Sequence, residues 1–461
     1  MNRYVHTLQI ITPYIHILYP AIMSVARQIP NRTVVTSFSI VDCYEEGHYI
    51  LHVACGPCSN SNSNSNDSNG TPLSCALSNR CVQTYDRETL KKVHSINDAH
   101  AGQITDITHS QIASSGDSTQ SPLLVTSGED GLVKVFDLRT SPSINGKSAL
   151  QLQLAMAHKA EEALSVSIGY NGALAAVGSN KGFIHFYDLR LISNHQTLQQ
   201  PLGSYVDAHT DDVTKVRFQR SNRDSHDTTS ILLSASEDGL ACTFDTSQPS
   251  EELALRSVIN VGSPLRDVGF FGPSLEGLYC LTGSETMSVW HHESAQRIAD
   301  FGDIRNHLSK LAGGIPVQYL VGCAWINDEL NLLAGNNIGD SVLYKVDAGA
   351  LAVKKIMSGG HKGCIRSFVP VSSRNHGIDS TSIITAGEDS RLCEWNEHAN
   401  SGGSGGNGVT ASAAAGTTNT TTVAAAGATA ASYSISSEKQ KTKSGGGVIR
   451  RQKKKQTHSP Y

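Results

Sequence analysis

Cys55, Cys58, Cys75 and Cys81 are four of the ten cysteines, and their spacing is the first pattern in the chain that could do chemistry. The first two stand in Cys-Gly-Pro-Cys. Thiol exchange at such a pair needs one thiol at a helix N-terminus, where the dipole lowers its pKa. Cys55 instead ends the apolar run "YILHVA", read as the second strand of its repeat, and Cys58 leads into "SNSNSNSNDSNG", which has no helical period. Redox catalysis is therefore not expected. Together the four thiols follow C-x2-C-x16-C-x5-C, close to a zinc knuckle except in the last interval. A hairpin that folded the polar tract back could gather four thiolates around one zinc ion. A plain polar insertion over 57–76 is the favoured reading.

Other chemical signals are weak. The one glycine-rich run with a phosphate-loop look, "GGSGGNG" (402–408), lies in low-complexity sequence and opens no helix. His291-His292 reads as an exposed turn after Trp290. No catalytic residue and no cofactor is expected, and the chain is read as a non-enzyme. A net charge of −4 over 461 residues gives no chain-wide attraction for nucleic acid, so any basic surface is local. Ten cysteines without a pairing framework suit a reducing compartment, where they stay free thiols.

A repeat organises the rest. "LLVTSGEDGLVKVFDLR" (123–139), "LAAVGSNKGFIHFYDLR" (174–190), "ILLSASEDGLACTFDTS" (231–247) and "SIITAGEDSRLCEWNE" (382–397) each join two apolar β runs through a polar turn, mostly with glycine. Weaker copies lie at 77–87, 279–292 and 332–346. The closing positions Asp86, Asp137, Asp188, Asp245, His291, Lys345 and Asn396 are 51, 51, 57, 46, 54 and 51 residues apart. That period, allowing for loops, matches four short strands per unit. In the fourth unit, 212–218, 231–236, 240–244 and 253–259 read as strands. They are apolar on both faces because neighbouring units cover them, and Asp238-Gly239 supplies the tight turn.

These units resemble WD40 repeats, and the resemblance implies an all-β fold, a seven-bladed WD40 β-propeller; composition adds the expectation of a disordered C-terminal tail. The family's hydrogen-bonded tetrad falls on His361, Thr385, Asp389 and Trp395 in blade seven. His209, Ser234 and Asp238 occupy it in blade four, and His100, Thr126 and Asp130 in blade two, with Phe244 and Phe136 where the tryptophan would be. Blade three keeps His158 but has Val177 and Lys181 at the next two positions. These residues are read as structural. "YVDAHTDDVTKVRF" (205–218), "YLVGCAWINDELNLLAGNNIGD" (319–340), "GGHKGCIRSF" (359–368) and the basic C-terminus are similar to the WD repeat-containing protein 89 group within that family. The resemblance implies a scaffold for protein partners. Arg139 and Arg190, in "FDLR" and "YDLR", also resemble the paired Asp-x-Arg boxes of substrate receptors for cullin-4 ubiquitin ligases, which contact the ligase adaptor. The plainer alternative is that each arginine bonds its own blade.

The domain boundaries follow. Residues 31–397 form the propeller. Blade seven lacks a fourth strand before "SGGSGGNG", so the apolar segment 1–30, through 4–12 or 14–25, is expected to complete it; its prolines and histidines break any membrane span or signal core. Insertions at 111–121, 219–230 and 372–381 are expected as loops between first and second strands, and 140–149 and 191–203 between third and fourth. Residues 398–436 are Gly, Ser, Ala and Thr, a composition expected to stay disordered. The tail 437–461 carries the basic run Arg450, Arg451, Lys453, Lys454 and Lys455, read as a nuclear-targeting segment, with weak nucleic-acid binding as an alternative. The expected location is nuclear, with the cytoplasm second, and no membrane contact is expected.

Overall fold

The computed structural model describes residues 27–28, 32–35, 48–56, 72–87, 89–113, 120–138, 150–190, 199–219, 230–375 and 378–396. Short runs of Val, Ile, Leu and aromatic residues pair with their sequence neighbours. Blade four is Lys215–Phe218, Ile231–Ala235, Leu240–Asp245 and Leu255–Asn260 in one antiparallel sheet. Its second turn closes because Gly239 takes φ +83°, where a side chain would be strained.

Six further sheets repeat this meander. The innermost strands are Ile50–Cys55, Ile104–Ala113, Ala163–Gly169, Lys215–Phe218, Leu265–Phe271, Tyr319–Ile326 and Ile365–Asn375. Each packs against the next and the last against the first, so the blades close a ring. Burial falls outward along each blade. Gly277–Thr282, a second strand, is buried throughout, whereas Gln296–Asp303, on the rim of the same blade, is mostly exposed. The core lies between blades: Phe186 and Tyr205 of blade three meet Val216, Phe218 and Phe244 of blade four. Each such side chain contributes roughly 1.5–3 kcal/mol on burial.

Every joint of the ring also carries a directional bond. Arg80 donates to Ala101 O (3.0 Å), Thr105 to Ala163 O (2.5 Å) and the Val216 amide to Ser165 Oγ (3.2 Å). Thr214 donates to Leu265 O (2.7 Å), Arg266 to Leu320 O (2.6 Å), the Ile365 amide to Tyr319 Oη (2.7 Å) and the Val53 amide to Ser367 Oγ (3.1 Å). The blades are thereby held in fixed orientation.

Several expectations need correction. The strand that completes blade seven is Arg32–Val35, antiparallel to Arg391–Asn396, and not a segment within 1–30. Arg27–Gln28 adds instead, in parallel, to the rim strand of blade six; 4–12 and 14–25 lie outside the described residues. Ile50–Cys55 is the first strand of blade one rather than its second, and Pro72–Leu77 is the second strand, so the polar insertion ends before residue 72 and not at 76. Two expected loops are partly ladder. Gln111 pairs with Pro122 in blade two, and Ser372 with Thr381 in blade seven, because alternating β-formers there extend the hairpins.

Candidate functional site

The connections into blades two, four and seven each bury a histidine against a hydroxyl and a carboxylate. His361 Nδ1 lies 3.0 Å from Asp389 Oδ1 and Nε2 2.8 Å from Thr385 Oγ1, and the Trp395 indole N–H donates to that hydroxyl at 2.8 Å. In blade two His100 stands 2.8 Å from Asp130 and 2.7 Å from Thr126; in blade four His209 stands 3.1 Å from Asp238 and 2.7 Å from Ser234. Phe136 and Phe244 are buried where Trp395 would stand, and they lack its donor. The carboxylates also bind backbone: Asp389 accepts from the Lys362 amide and Asp130 from the Ala101 amide. Gly128 lets the blade-two chain pass this close, since a Cβ there would lie 2.5 Å from His100 Nδ1.

Blade three solves the same problem with residues that the sequence comparison of blades did not single out. His185, on its third strand, sits 2.8 Å from Glu161 Oε1 and 2.6 Å from Ser204 Oγ, with the His185 and Glu161 side chains fully buried. His158 does not join this relay through its ring; its amide donates to Glu161. The available signal was Glu161 itself, the first of two adjacent glutamates and three residues after the expected histidine.

A second polar group lies among the innermost strands. Asp106 Oδ2 accepts from Ser165 Oγ (2.7 Å), Lys215 Nζ (3.3 Å) and Arg217 Nη1 (3.4 Å), which ties blades two, three and four. Burial alone would raise the Asp106 pKa, but Lys215 and Arg217 outweigh it and hold the carboxyl well below its usual range. Burial, with the charge of Lys215 beside it, brings His52 down to about 4.

These shifts set a pH dependence. Burial keeps His209 below its ordinary 6.5, as it does His52, so the unfolded chain binds protons first as pH falls from 6.5. Burial opposes ionisation of Asp130, Asp238 and Asp389, yet their histidine and backbone hydrogen bonds win and lower all three. Their stabilisation is present above the ordinary 3.8 and is lost below it. His361 runs the other way: Asp389 overcomes burial and lifts it to about 9, a contribution complete below 6.5 and lost as pH rises toward 9. The expected outcome is a melting temperature that falls steadily from pH 6.5 to pH 3, read by differential scanning fluorimetry; a flat profile over that range would show that the relays do not contribute.

The other candidates separate. Cys55 aligns with Leu73 and the Cys81 carbonyl pairs with Leu77, so the two residues sit at opposite ends of blade one and on opposite sides of Pro72–Leu77, separated by roughly 13 Å along the strand direction alone. Burial raises the Cys75 thiol, Cys58 lies outside the described residues, and no group of three or more metal-type side chains gathers among the described ones. Arg190 grips its own Asp188 through Nε and Nη2 at 2.9 and 2.6 Å, while Arg139 lies outside the described residues. His292 is buried and holds Ser257 through its carbonyl at 2.6 Å, which corrects the exposed-turn expectation. Arg450, Arg451, Lys453, Lys454 and Lys455, with all of 398–461, fall outside the described residues. No helix among the described residues is long and apolar enough to cross a membrane.

Seven blades built on four-stranded meanders, the last completed by an N-terminal strand, with buried His-hydroxyl-carboxylate relays in blades two, three, four and seven, define a β-propeller of the WD-repeat class. The chain belongs to the WD repeat-containing proteins. It is 30% identical over 295 residues to WD repeat-containing protein GTS1 of Arabidopsis thaliana, across 62% of this chain and 70% of that protein. It is 24% identical over 332 residues to the WD repeat-containing protein 89 homolog of Dictyostelium discoideum, across 71% and 80%. Residues 91–289 match the family model described as Nucleolar protein 10-like, N-terminal domain. Among solved structures, a chain in the crystal structure of the Mitotic Checkpoint Complex superposes with a TM-score of 0.54 at 15% identity, over 87% of this chain and all of that one; the likeness is one of fold. The architecture is that of a protein-interaction platform.

Proposed function

We propose that this protein is a non-enzymatic scaffold that works in the nucleus, presenting a rigid propeller to protein partners. The observation that carries the reading is the ring itself, with all seven joints bonded, which fixes several surfaces relative to one another. A rigid carrier lowers the ordering cost of binding. The nuclear part is supported by the basic run Arg450 to Lys455 and by the match to a domain whose description is nucleolar.

The experiment is a fusion of residues 438–461 to a fluorescent reporter. Nuclear accumulation is expected, and its loss is expected when Arg450, Arg451, Lys453, Lys454 and Lys455 become alanine. Reporter that stays cytosolic would remove the targeting role.

A further inference from the structure

The rim of blades three and four carries an open cavity with Leu174, Phe186, Leu202 and Tyr205 on its apolar side and Thr246 and Glu251 on its polar side. It lies between Gly203–Tyr205, the outermost strand of blade three, and the one-turn helix Glu251–Ala254 that precedes the last strand of blade four. Its volume is about 320 Å3, at the small end of the range for ligand pockets and suited to one or two side chains. Phe186 and Tyr205, with ring centroids 4.8 Å apart, contribute apolar wall, and Leu202, 65% exposed, stands at the lip.

Two further observations favour a partner of particular chemistry. Leu202, Val206, Leu253, Leu255 and Val258 are half of the ten large apolar side chains that stand exposed among the described residues, and all lie on this sector. Such clustering marks an interaction surface. Gly203–Tyr205 is also an edge strand, able to pair with an extended segment. The charge around it is one-sided. Asp188 and Asp245 are neutralised by Arg190 and Arg256, whereas Asp207, Glu251 and Glu252 have no ion-pair partner among the described residues. Glu251 accepts the Val206 and Asp207 amides at 2.7 and 3.0 Å, joining the two walls, while Asp207 and Glu252 face solvent.

We propose that this groove receives an extended segment of a partner protein, seating a bulky apolar residue in the cavity and laying basic residues against Asp207 and Glu252. The proposal rests on the scaffold reading and gives that scaffold a specific docking sector. A cation beside two solvent-facing carboxylates adds orientation and on-rate, and the apolar anchor supplies most of the affinity.

The test uses the full chain and a fluorescein-labelled peptide, Gly-Ser-Leu-Ile-Arg-Lys-Arg-Lys-Ser-Gly, read by anisotropy. Saturable binding is expected, at least about tenfold weaker when Leu-Ile becomes Ser-Ser or when the basic run becomes glutamate. Leu202→Asp with Leu253→Asp should weaken it at least about tenfold, and Asp207→Lys with Glu252→Lys should reverse the charge preference. Binding that ignores the leucine pair, or a sedimentation dimer that the leucine pair dissolves, overturns the proposal, the latter by seating a second copy in the groove. Proximity labelling of the leucine-pair variant in cells separates the two readings: an unchanged partner set defeats the groove and leaves the scaffold standing, whereas no specific partners for the unaltered chain defeats the scaffold.

Discussion

Asp106→Ala lowers the stability of the propeller by about 3 kcal/mol or more, measured as a fall in the urea midpoint at constant slope. Among the described residues the carboxylate is the one anion bonded to both Lys215 and Arg217, and removing it leaves two cations of the same strand without it. Breaking a buried ion pair from one side costs about 3–5 kcal/mol because the remaining charge keeps its desolvation penalty. Lys215 is 16% exposed and Arg217 35%, so water recovers part of that cost and the lower end applies. Ser165 loses its acceptor as well, which loosens the link to the Val216 amide. The compensating variant is Asp106→Ala with Lys215→Met, which removes one orphaned cation and should recover a substantial share of the loss. A single Asp106→Ala that costs less than about 1 kcal/mol would mean that solvent, not the carboxylate, stabilises the pair.

That cluster was not legible in the sequence, and the reason is geometric. Asp106, Ser165, Lys215 and Arg217 belong to three blades and meet only because a closed ring brings their innermost strands together, so no local spacing announces them. The relays of blades two, four and seven were legible because each is contained in one repeat and recurs at a fixed offset. Blade three shows the limit. Its relay moved the histidine to the third strand and exchanged aspartate for glutamate, which breaks the offset while keeping a buried imidazole between a carboxylate and a hydroxyl. Strand content and blade count followed from the period of the apolar runs. The insertion boundary in blade one did not, because "PLSC" (72–75) has little β character and is recruited as a strand by its neighbours on both sides.

The larger expected effect comes from the strand that closes the ring. Removing residues 1–35 takes Arg32–Val35 from blade seven and leaves Arg391–Asn396 as an unpaired edge beside the joint with blade one. The strand clasps the last blade from its rim, so its loss costs a large share of the about 5–15 kcal/mol that stabilises a domain even with the innermost strands of blades seven and one still in contact, and the exposed edge is an invitation to aggregate. The truncated protein is expected in the insoluble fraction. Removing residues 1–28 is a far milder change, because within the described residues it deletes the two-residue parallel pairing of Arg27–Gln28 with Ile356 and Met357, the bond from the Ser358 amide to Gln28 O and the bond from Gln28 to Asn396 O. The sequence alone places the closing strand within residues 1–30; the register of Arg32–Val35 against Arg391–Glu394 moves it downstream. Soluble yield and melting temperature of the two truncations decide between them, and a 1–35 deletion that melts like the full chain would show that blade seven stands with three strands. Because the missing strand pairs through its backbone, a synthetic peptide of residues 30–37 added during refolding should restore soluble protein, whereas a scrambled peptide, which cannot repeat the side-chain alternation, should not.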